Sequence, residues 1–265
     1  MKFAAYLDGI GLIGQGLDNW IAAQPMLAGI VPYASRPLVV PAPQTLPPAE
    51  RRRTGLSVRV ALAVGQEACA NGQLDAKRMA AVFSSSGADN DNCDALCQVL
   101  ASEDRHVSPT RFHNSVHNAP AGYWGIATGA MTPATVLCAH DASFGAGLLE
   151  AMAQVAAERV GTLLITYDMP YPEPMHAKRP LPTAFGIALA LMPTQGARSL
   201  ARIEVRLTDA EPDELTEPAL EALRRTLPCA RGLPLLQAVA RGAGEQVVLD
   251  YLPPLRLAVT VESCR

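Results

Sequence analysis

Residues 107–168 read VSPTRFHNSVHNAPAGYWGIATGAMTPATVLCAHDASFGAGLLEAMAQVAAERVGTLLITYD, and this stretch decides the fold class. The apolar run at residues 133–139 (PATVLCA) predicts a buried strand. Apolar side chains then recur at helical spacing from residue 144 to about residue 159, which predicts a helix with one buried face. Residues 160–167 (VGTLLITY) form a continuous apolar run, typical of a strand in a sheet that is covered on both faces. A strand, a helix and a strand in succession predict an α/β fold.

The same alternation of elements extends to both sides of this stretch. Helices are predicted at about residues 54–70, 91–102 and 217–226, and strands at 3–8, 79–84, 184–192, 201–207, 246–251 and 255–261. Gly9, Gly11, Gly14 and Gly16 predict a loop directly after the first strand. We therefore expect one α/β domain over residues 1–265, with a largely covered sheet.

The composition excludes several classes of function. The chain has 265 residues, of which 49% are hydrophobic and 5% are aromatic, and its formal net charge is −3. Such a chain offers no broad basic field to nucleic acid or to an anionic membrane. No apolar run approaches the ~18 residues that a membrane span needs. Because Asp8 interrupts the apolar N-terminal segment, no secretory signal is predicted, and we expect a soluble cytoplasmic protein.

Two short motifs could indicate a cofactor or a metal, and both lack the context that these groups require. The spacing Gly9-x-Gly11-x-x-Gly14 fits a dinucleotide fingerprint, but no acidic residue ends a second strand about 20 residues later. Cys93 and Cys97 stand four residues apart on a predicted helix, but no second ligand pair follows at a zinc-like distance. We therefore expect neither a cofactor nor a metal.

The decisive stretch resembles the first half of a β-ketoacyl synthase of the thiolase fold. Val107-Ser108-Pro109 matches the opening of the family pattern, and residues 118–122 (NAPAG) match its middle. Gly129 and Pro133 then introduce the strand, as they do in the family. The motifs keep the family order from residue 3 to about residue 192. The resemblance implies a thiolase-like, layered α-β-α arrangement with a mixed sheet, lacking the full second half of the enzyme.

Ketosynthases carry their nucleophilic cysteine in the turn between such a strand and a buried helix, where the helix N-terminus favours the thiolate. Counting from Pro133, the family spacing lands on Asp141, and counting back from strand 160–167 it lands on Asp141 or Ala142. Aspartate is a preferred helix N-cap and a poor acyl acceptor, so Asp141 is predicted to cap the helix and no catalytic residue is expected. Cys138 becomes the candidate nucleophile if the turn lies earlier in the chain.

The positions of the histidines also indicate that the chain lacks ketosynthase activity of its own. A ketosynthase completes its chemistry with two histidines from its second half, whereas residues 193–265 contain none. His140 and Asp141 are adjacent, but neighbouring strand residues point to opposite faces, which argues against a dyad. Two alternatives stay open at this point. One is an independent acyltransferase or hydrolase that uses Cys138, Ser143 or Ser86, and the other is a binder of a small molecule or nucleotide at the N-terminal glycines.

A short ketosynthase-like chain without the cysteine is similar to the chain length factor group of aryl polyene and xanthomonadin-type pigment synthesis. The resemblance implies a non-catalytic subunit that pairs with an active ketosynthase or with itself and works with an acyl carrier protein. Family dimers pair the strand before the nucleophile, which here implies an interface of Thr135, Val136, Leu137, Cys138, Ala139 and His140. Candidates for the lining of an acyl tunnel are Phe112, His117, Asn118 and Phe144.

Overall fold

Eight strands form one mixed sheet in the computed structural model, which describes residues 2–264. The strands are β1 (Lys2–Ile13), β2 (Ala80–Ser84), β3 (Ala134–Leu137), β4 (Thr162–Asp168), β5 (Phe185–Met192), β6 (Ala201–Thr208), β7 (Glu245–Leu249) and β8 (Arg256–Ser263). Their order across the sheet is β3-β2-β4-β5-β1-β6-β8-β7. β3, β2 and β4 run parallel, and every other neighbouring pair is antiparallel. The predicted mixed sheet is confirmed.

Helices cover both faces of this sheet. They are α1 (Trp20–Leu27), α2 (Pro48–Arg51), α3 (Leu56–Gly72), α4 (Asn90–Ala101), α5 (Pro109–Asn114), α6 (Ala119–Thr128), α7 (Ser143–Glu158), α8 (Pro218–Thr226) and α9 (Leu233–Arg241). One core cluster joins α1, α7, α8 and α9 to the sheet, and a second joins α3 and α6 to the opposite face. The arrangement is the predicted α-β-α layering. Among the helices of residues 2–264, none combines the length and the apolar sequence that a membrane span requires.

The prediction of a loop from Gly9 to Gly16 is wrong for Gly9 and Gly11, because β1 continues to Ile13, and correct for Gly14 and Gly16, which lie in the turn that follows the strand. The glycines are needed where the strand meets α3. A Cβ on Gly9 would lie 2.1 Å from the carbonyl oxygen of Ala68, and one on Gly11 would lie 1.9 Å from that of Val64. The absent side chains let the backbone of α3 pack directly against β1.

Helices α1, α2, α5, α6 and α9 were not anticipated, and two of them, α1 and α9, pack in the first core cluster. Helix α1 begins after Asn19, whose Oδ1 accepts a hydrogen bond from the backbone N–H of Ala22 at 2.8 Å, and it continues through Pro25. Helix α9 begins with Leu233 and ends at Gly242, which adopts a left-handed conformation with φ of 64°. Both helices bury leucines in the first core cluster, so packing stabilises them despite the weak local signals.

Candidate functional site

The edge strand β3 forms one side of the candidate site. Within the described residues it pairs with β2 alone, so its outer edge is open. Leu137 packs against the core cluster on the α7 side, whereas Val136 packs against the cluster on the α3 side. Thr135 accepts a hydrogen bond at its Oγ1 from Nε2 of Gln154 in α7 at 3.0 Å. Because Val136 and Leu137 are already half-buried, a partner would cover only part of each side chain.

A sharp turn leads from β3 into α7. His140 has a φ of 51°, in the left-handed region that residues other than glycine rarely adopt. Residues His140–Ala142 form one 3₁₀ turn before α7 begins at Ser143. The hydroxyl of Ser143 donates to the carbonyl oxygen of His140 at 2.7 Å and accepts from the backbone N–H of Ala139 at 3.1 Å. The hydroxyl of Ser143 therefore holds the turn closed.

The prediction that Asp141 caps α7 is wrong. The N-cap position is Ala142, and no side chain caps the helix there. The Oδ1 atom of Asp141 instead accepts a hydrogen bond from Nη2 of Arg179 at 2.7 Å, and its Oδ2 lies 3.5 Å from Nη2 of Arg231. A guanidinium group offers a carboxylate a charge-assisted hydrogen bond together with a full opposite charge.

His140 belongs to the same cluster, which corrects the expectation that it would point away from Asp141. Its Nδ1 lies 3.5 Å from Oδ1 of Asp141, and its Nε2 lies 2.6 Å from Nη1 of Arg179. The two residues share a side because they stand in a 3₁₀ turn and not in a strand. We call His140, Asp141, Arg179 and Arg231 the turn cluster.

The charges of the turn cluster decide the ionisation of Asp141. Partial burial opposes ionisation, but the hydrogen bond and charge of Arg179, with the charges of Arg231 and His140, outweigh it and lower the pKa of Asp141 below its usual value. The side chain of Asp141 keeps 46% of its surface exposed, so solvent screens these interactions. The turn thus presents an ion-paired carboxylate.

Cys138 lies at the end of β3, upstream of this turn. Its side chain is exposed, and its Sγ lies 3.4 Å from the carbonyl oxygen of Ser86, to which the thiol donates. Within residues 2–264, no histidine is hydrogen-bonded to it. A reactive cysteine is activated by a neighbouring base or by a helix N-terminus. In the part of the chain that the structure describes, Cys138 has no hydrogen-bonded base, and Ala139 to Ala142 separate it from the start of α7.

The buried carboxylate of Asp168 was not among the residues predicted from the sequence. It is hydrogen-bonded to two segments of the site, at Ser86 and at Cys229. Asp168 ends β4 and is 1% exposed. Its Oδ1 accepts hydrogen bonds from the N–H of Ser86 at 2.9 Å and from the hydroxyl of Ser86 at 2.5 Å. Its Oδ2 accepts from the N–H of Cys229 at 2.7 Å, which fixes the 3₁₀ turn that carries Arg231. The available signal was an aspartate ending an otherwise apolar strand.

Burial raises the pKa of Asp168, and the hydrogen bonds from Ser86 and Cys229 counter part of that effect.

The four predicted tunnel residues do not lie together. Phe112 is exposed on α5, Asn118 is exposed directly before α6, and His117 is half-buried between these helices. Nε2 of His117 is buried and has no hydrogen-bond partner in the described part of the chain. The ring of Phe144 is fully buried in the other core cluster, on the α7 side of the sheet. A tunnel along the first three residues stays a prediction.

Known proteins place this geometry in a family context. The chain matches the family model described as β-ketoacyl synthase, N-terminal domain, over residues 27–248. None of the curated proteins matches the chain in sequence.

Solved structures of ketosynthase systems resemble almost the whole chain. The ketosynthase ApeO in complex with its chain length factor ApeC, from Xenorhabdus doucetiae, has 22% sequence identity and a TM-score of 0.73, covering 97% of this chain and 99% of that chain. The ishigamide ketosynthase/chain length factor has 14% identity and a TM-score of 0.68, covering 98% and 99%. The AntDE:AntF structure, a type II PKS acyl-carrier protein in complex with its ketosynthase, has 11% identity and a TM-score of 0.74, covering 99% and 100%. At these identities the likeness shows the fold, which is the predicted thiolase-like fold.

Proposed function

The chain belongs to the β-ketoacyl synthase N-terminal domain family, and from this premise we propose that it is a non-catalytic, chain length factor-type subunit. It pairs with an active ketosynthase and assists the elongation of a polyene or fatty-acid-like chain on an acyl carrier protein. The structural likeness to complexes of ketosynthases with a chain length factor or an acyl-carrier protein supports this proposal.

The observation that carries the proposal is the chemistry of the turn between β3 and α7. The turn holds His140 and Asp141, and the carboxylate of Asp141 is ion-paired with Arg179 and Arg231. Ketosynthase chemistry needs a thiolate in such a turn to accept the acyl chain from a thioester. An ion-paired carboxylate is a poor substitute, because its charge is already stabilised by two guanidinium groups.

The open edge of β3 supports the second part of the proposal. Its outer N–H and C=O groups have no strand partner within residues 2–264, and such an edge favours pairing with another chain. The interface would run through residues Thr135 to His140, with a ketosynthase as the preferred partner and a second copy of this chain as the other.

A competing function is acyl transfer through Cys138, and the exposure of this thiol is the observation in its favour. Such a protein would take an acyl group from the carrier protein without a partner. The absence of a hydrogen-bonded histidine in the described chain argues against this function.

Two measurements test the proposed function. We expect the purified chain to form a heterodimer with a ketosynthase from the same organism, seen by size-exclusion chromatography with light scattering. We also expect the chain alone to gain no mass after incubation with an acylated carrier protein, while the ketosynthase does gain the acyl group. The Cys138→Ala variant is the matched control. An acyl adduct on wild type that is absent from this variant would replace the proposed function with its competitor.

A further inference from the structure

The outward face of α7 runs beside the open edge of β3. Glu150, Gln154 and Glu158 on this face line a groove of about 560 Å³ together with Pro133 and Val160. Glu158 and Val160 lie at the end of the groove where β3 begins, since both stand at the C-terminal end of α7 or just beyond it.

One side chain links this face to the middle of β3. Nε2 of Gln154 donates to Oγ1 of Thr135 at 3.0 Å and to Oε1 of Glu150 at 2.8 Å. The side chain of Gln154 therefore bridges the carboxylate of Glu150 and strand β3. Within residues 2–264, Glu150 forms no ion pair. Arg78 also lines the groove, but it precedes β2 and so stands at the Pro133 end.

A dimer of two identical chains would bring the two copies of Glu150 together. Such a dimer has a two-fold axis, so each surface meets its own copy. β3 has only 4 residues, and antiparallel pairing of this strand with its copy places the axis near Thr135 and Val136. Because Gln154 links Glu150 to Thr135, the two carboxylates would approach each other across the axis.

We propose that Glu150 is a residue that selects the partner. It disfavours the pairing of this chain with itself, and it favours a ketosynthase that presents a lysine or an arginine on the matching helix. This inference rests on the proposed function, because it assumes that β3 is the edge where the two subunits meet. Like charges that oppose each other at an interface exclude the wrong partner, and opposite charges favour the right one.

A charge-swap experiment tests the inference without a ketosynthase. Analytical ultracentrifugation compares the self-association of the wild type with that of Glu150→Gln, Glu150→Lys and a control, Asp209→Asn, which removes an exposed acid beyond β6 on the far side of the sheet. We expect Glu150→Gln to lower the dissociation constant of the homodimer about tenfold. We expect an equimolar mixture of wild type and Glu150→Lys to form the mixed dimer more tightly than either chain pairs with itself. Asp209→Asn should behave as the wild type does.

The same variants are then measured with the ketosynthase. Glu150→Lys should weaken the heterodimer about tenfold or more. Equal self-association of all variants, or no preference for the mixed dimer, overturns the inference. Unchanged ketosynthase affinity of Glu150→Lys also overturns it and leaves the proposed function standing. If no variant binds the ketosynthase, the proposed function fails, and the charge-swap mixture still decides whether Glu150 opposes self-pairing.

Discussion

Replacing Asp168 by alanine should destabilise the chain strongly, because this buried carboxylate is the acceptor of three hydrogen bonds. The donors are the N–H and the hydroxyl of Ser86 and the N–H of Cys229. The hydroxyl can rotate towards another acceptor, but the two backbone N–H groups cannot. Each buried donor left without an acceptor costs about 1–3 kcal/mol, so the gross loss is about 2–6 kcal/mol.

Part of this loss is offset, since the wild type carries the cost of burying a charge. Burial raises the pKa of Asp168, which shows that its environment disfavours the ionised form. Alanine removes that cost. We therefore expect a net loss of about 2–4 kcal/mol, a large share of the roughly 5–15 kcal/mol that stabilises a typical domain.

The measurement is urea denaturation followed by circular dichroism, and two further variants grade the effect. Asp168→Asn keeps an oxygen for Ser86 but turns an amide NH₂ towards the N–H of Cys229, so its loss should be smaller than that of alanine. Ser86→Ala removes one hydroxyl donor and should cost about 1 kcal/mol. If Asp168→Ala and Asp168→Asn both unfold within about 0.5 kcal/mol of the wild type, the hydrogen bonds do not hold this region together, and the reasoning is refuted.

The pH dependence provides a second check. Because the pKa of Asp168 is raised in the folded state, the folded chain retains this proton to a higher pH than the unfolded chain does. The contribution of this group to stability therefore falls as the pH rises from its usual pKa through the raised pKa. Asp168→Asn should lack that decline, and the same decline in this variant would assign it to another group.

Three further predictions concern the turn, the edge and the core. Asp141→Ala should lower the free energy of unfolding by about 1 kcal/mol or less, because solvent screens the ion pairs of Asp141. This loss should vanish as the pH falls through the lowered pKa of Asp141. Thermal denaturation, with Arg179→Ala as a matched variant, would measure it. Val136→Lys should leave the chain monomeric in light scattering with and without a ketosynthase, and a surviving dimer would move the interface away from β3. Gly11→Ala should destabilise the chain by about 1–3 kcal/mol or more by forcing α3 away from β1, whereas Gly122→Ala, which meets no atom within 4 Å, should be neutral or slightly stabilising.

Burial patterns made much of the fold predictable. The apolar runs of β2, β4 and β5 and the amphipathic patterns of α3 and α7 were located to within a few residues, because each of these elements is buried in a regular way. Glycine misled the prediction where a tertiary contact overrides local preference. Gly11 lies inside a strand because a helix backbone takes the space of its side chain.

The site was less predictable, because its contacts come from distant parts of the chain. The sequence indicated that the turn lacks a cysteine, since that statement needs only local spacing. It could not supply the partners of Asp141, because Arg179 and Arg231 reach it from other loops. An aspartate before a helix suggests a cap, and only the assembled structure shows that ion pairs have replaced that role.

The central position of β1 has a consequence for the way the chain is made. Tyr6 pairs with Met192, and Lys2 pairs with Arg206, so β1 is synthesised before both strands that flank it and must wait for them. At translation rates of about 5–20 residues per second, synthesis of the roughly 190 intervening residues takes about 10–40 s. During that interval the nascent chain exposes an apolar strand, and contacts of such long range also slow the folding step itself. A chain released before residue 185 would leave β1 with no neighbour in the sheet, so ribosome-bound truncations that end before and after β5 should differ sharply in their resistance to protease.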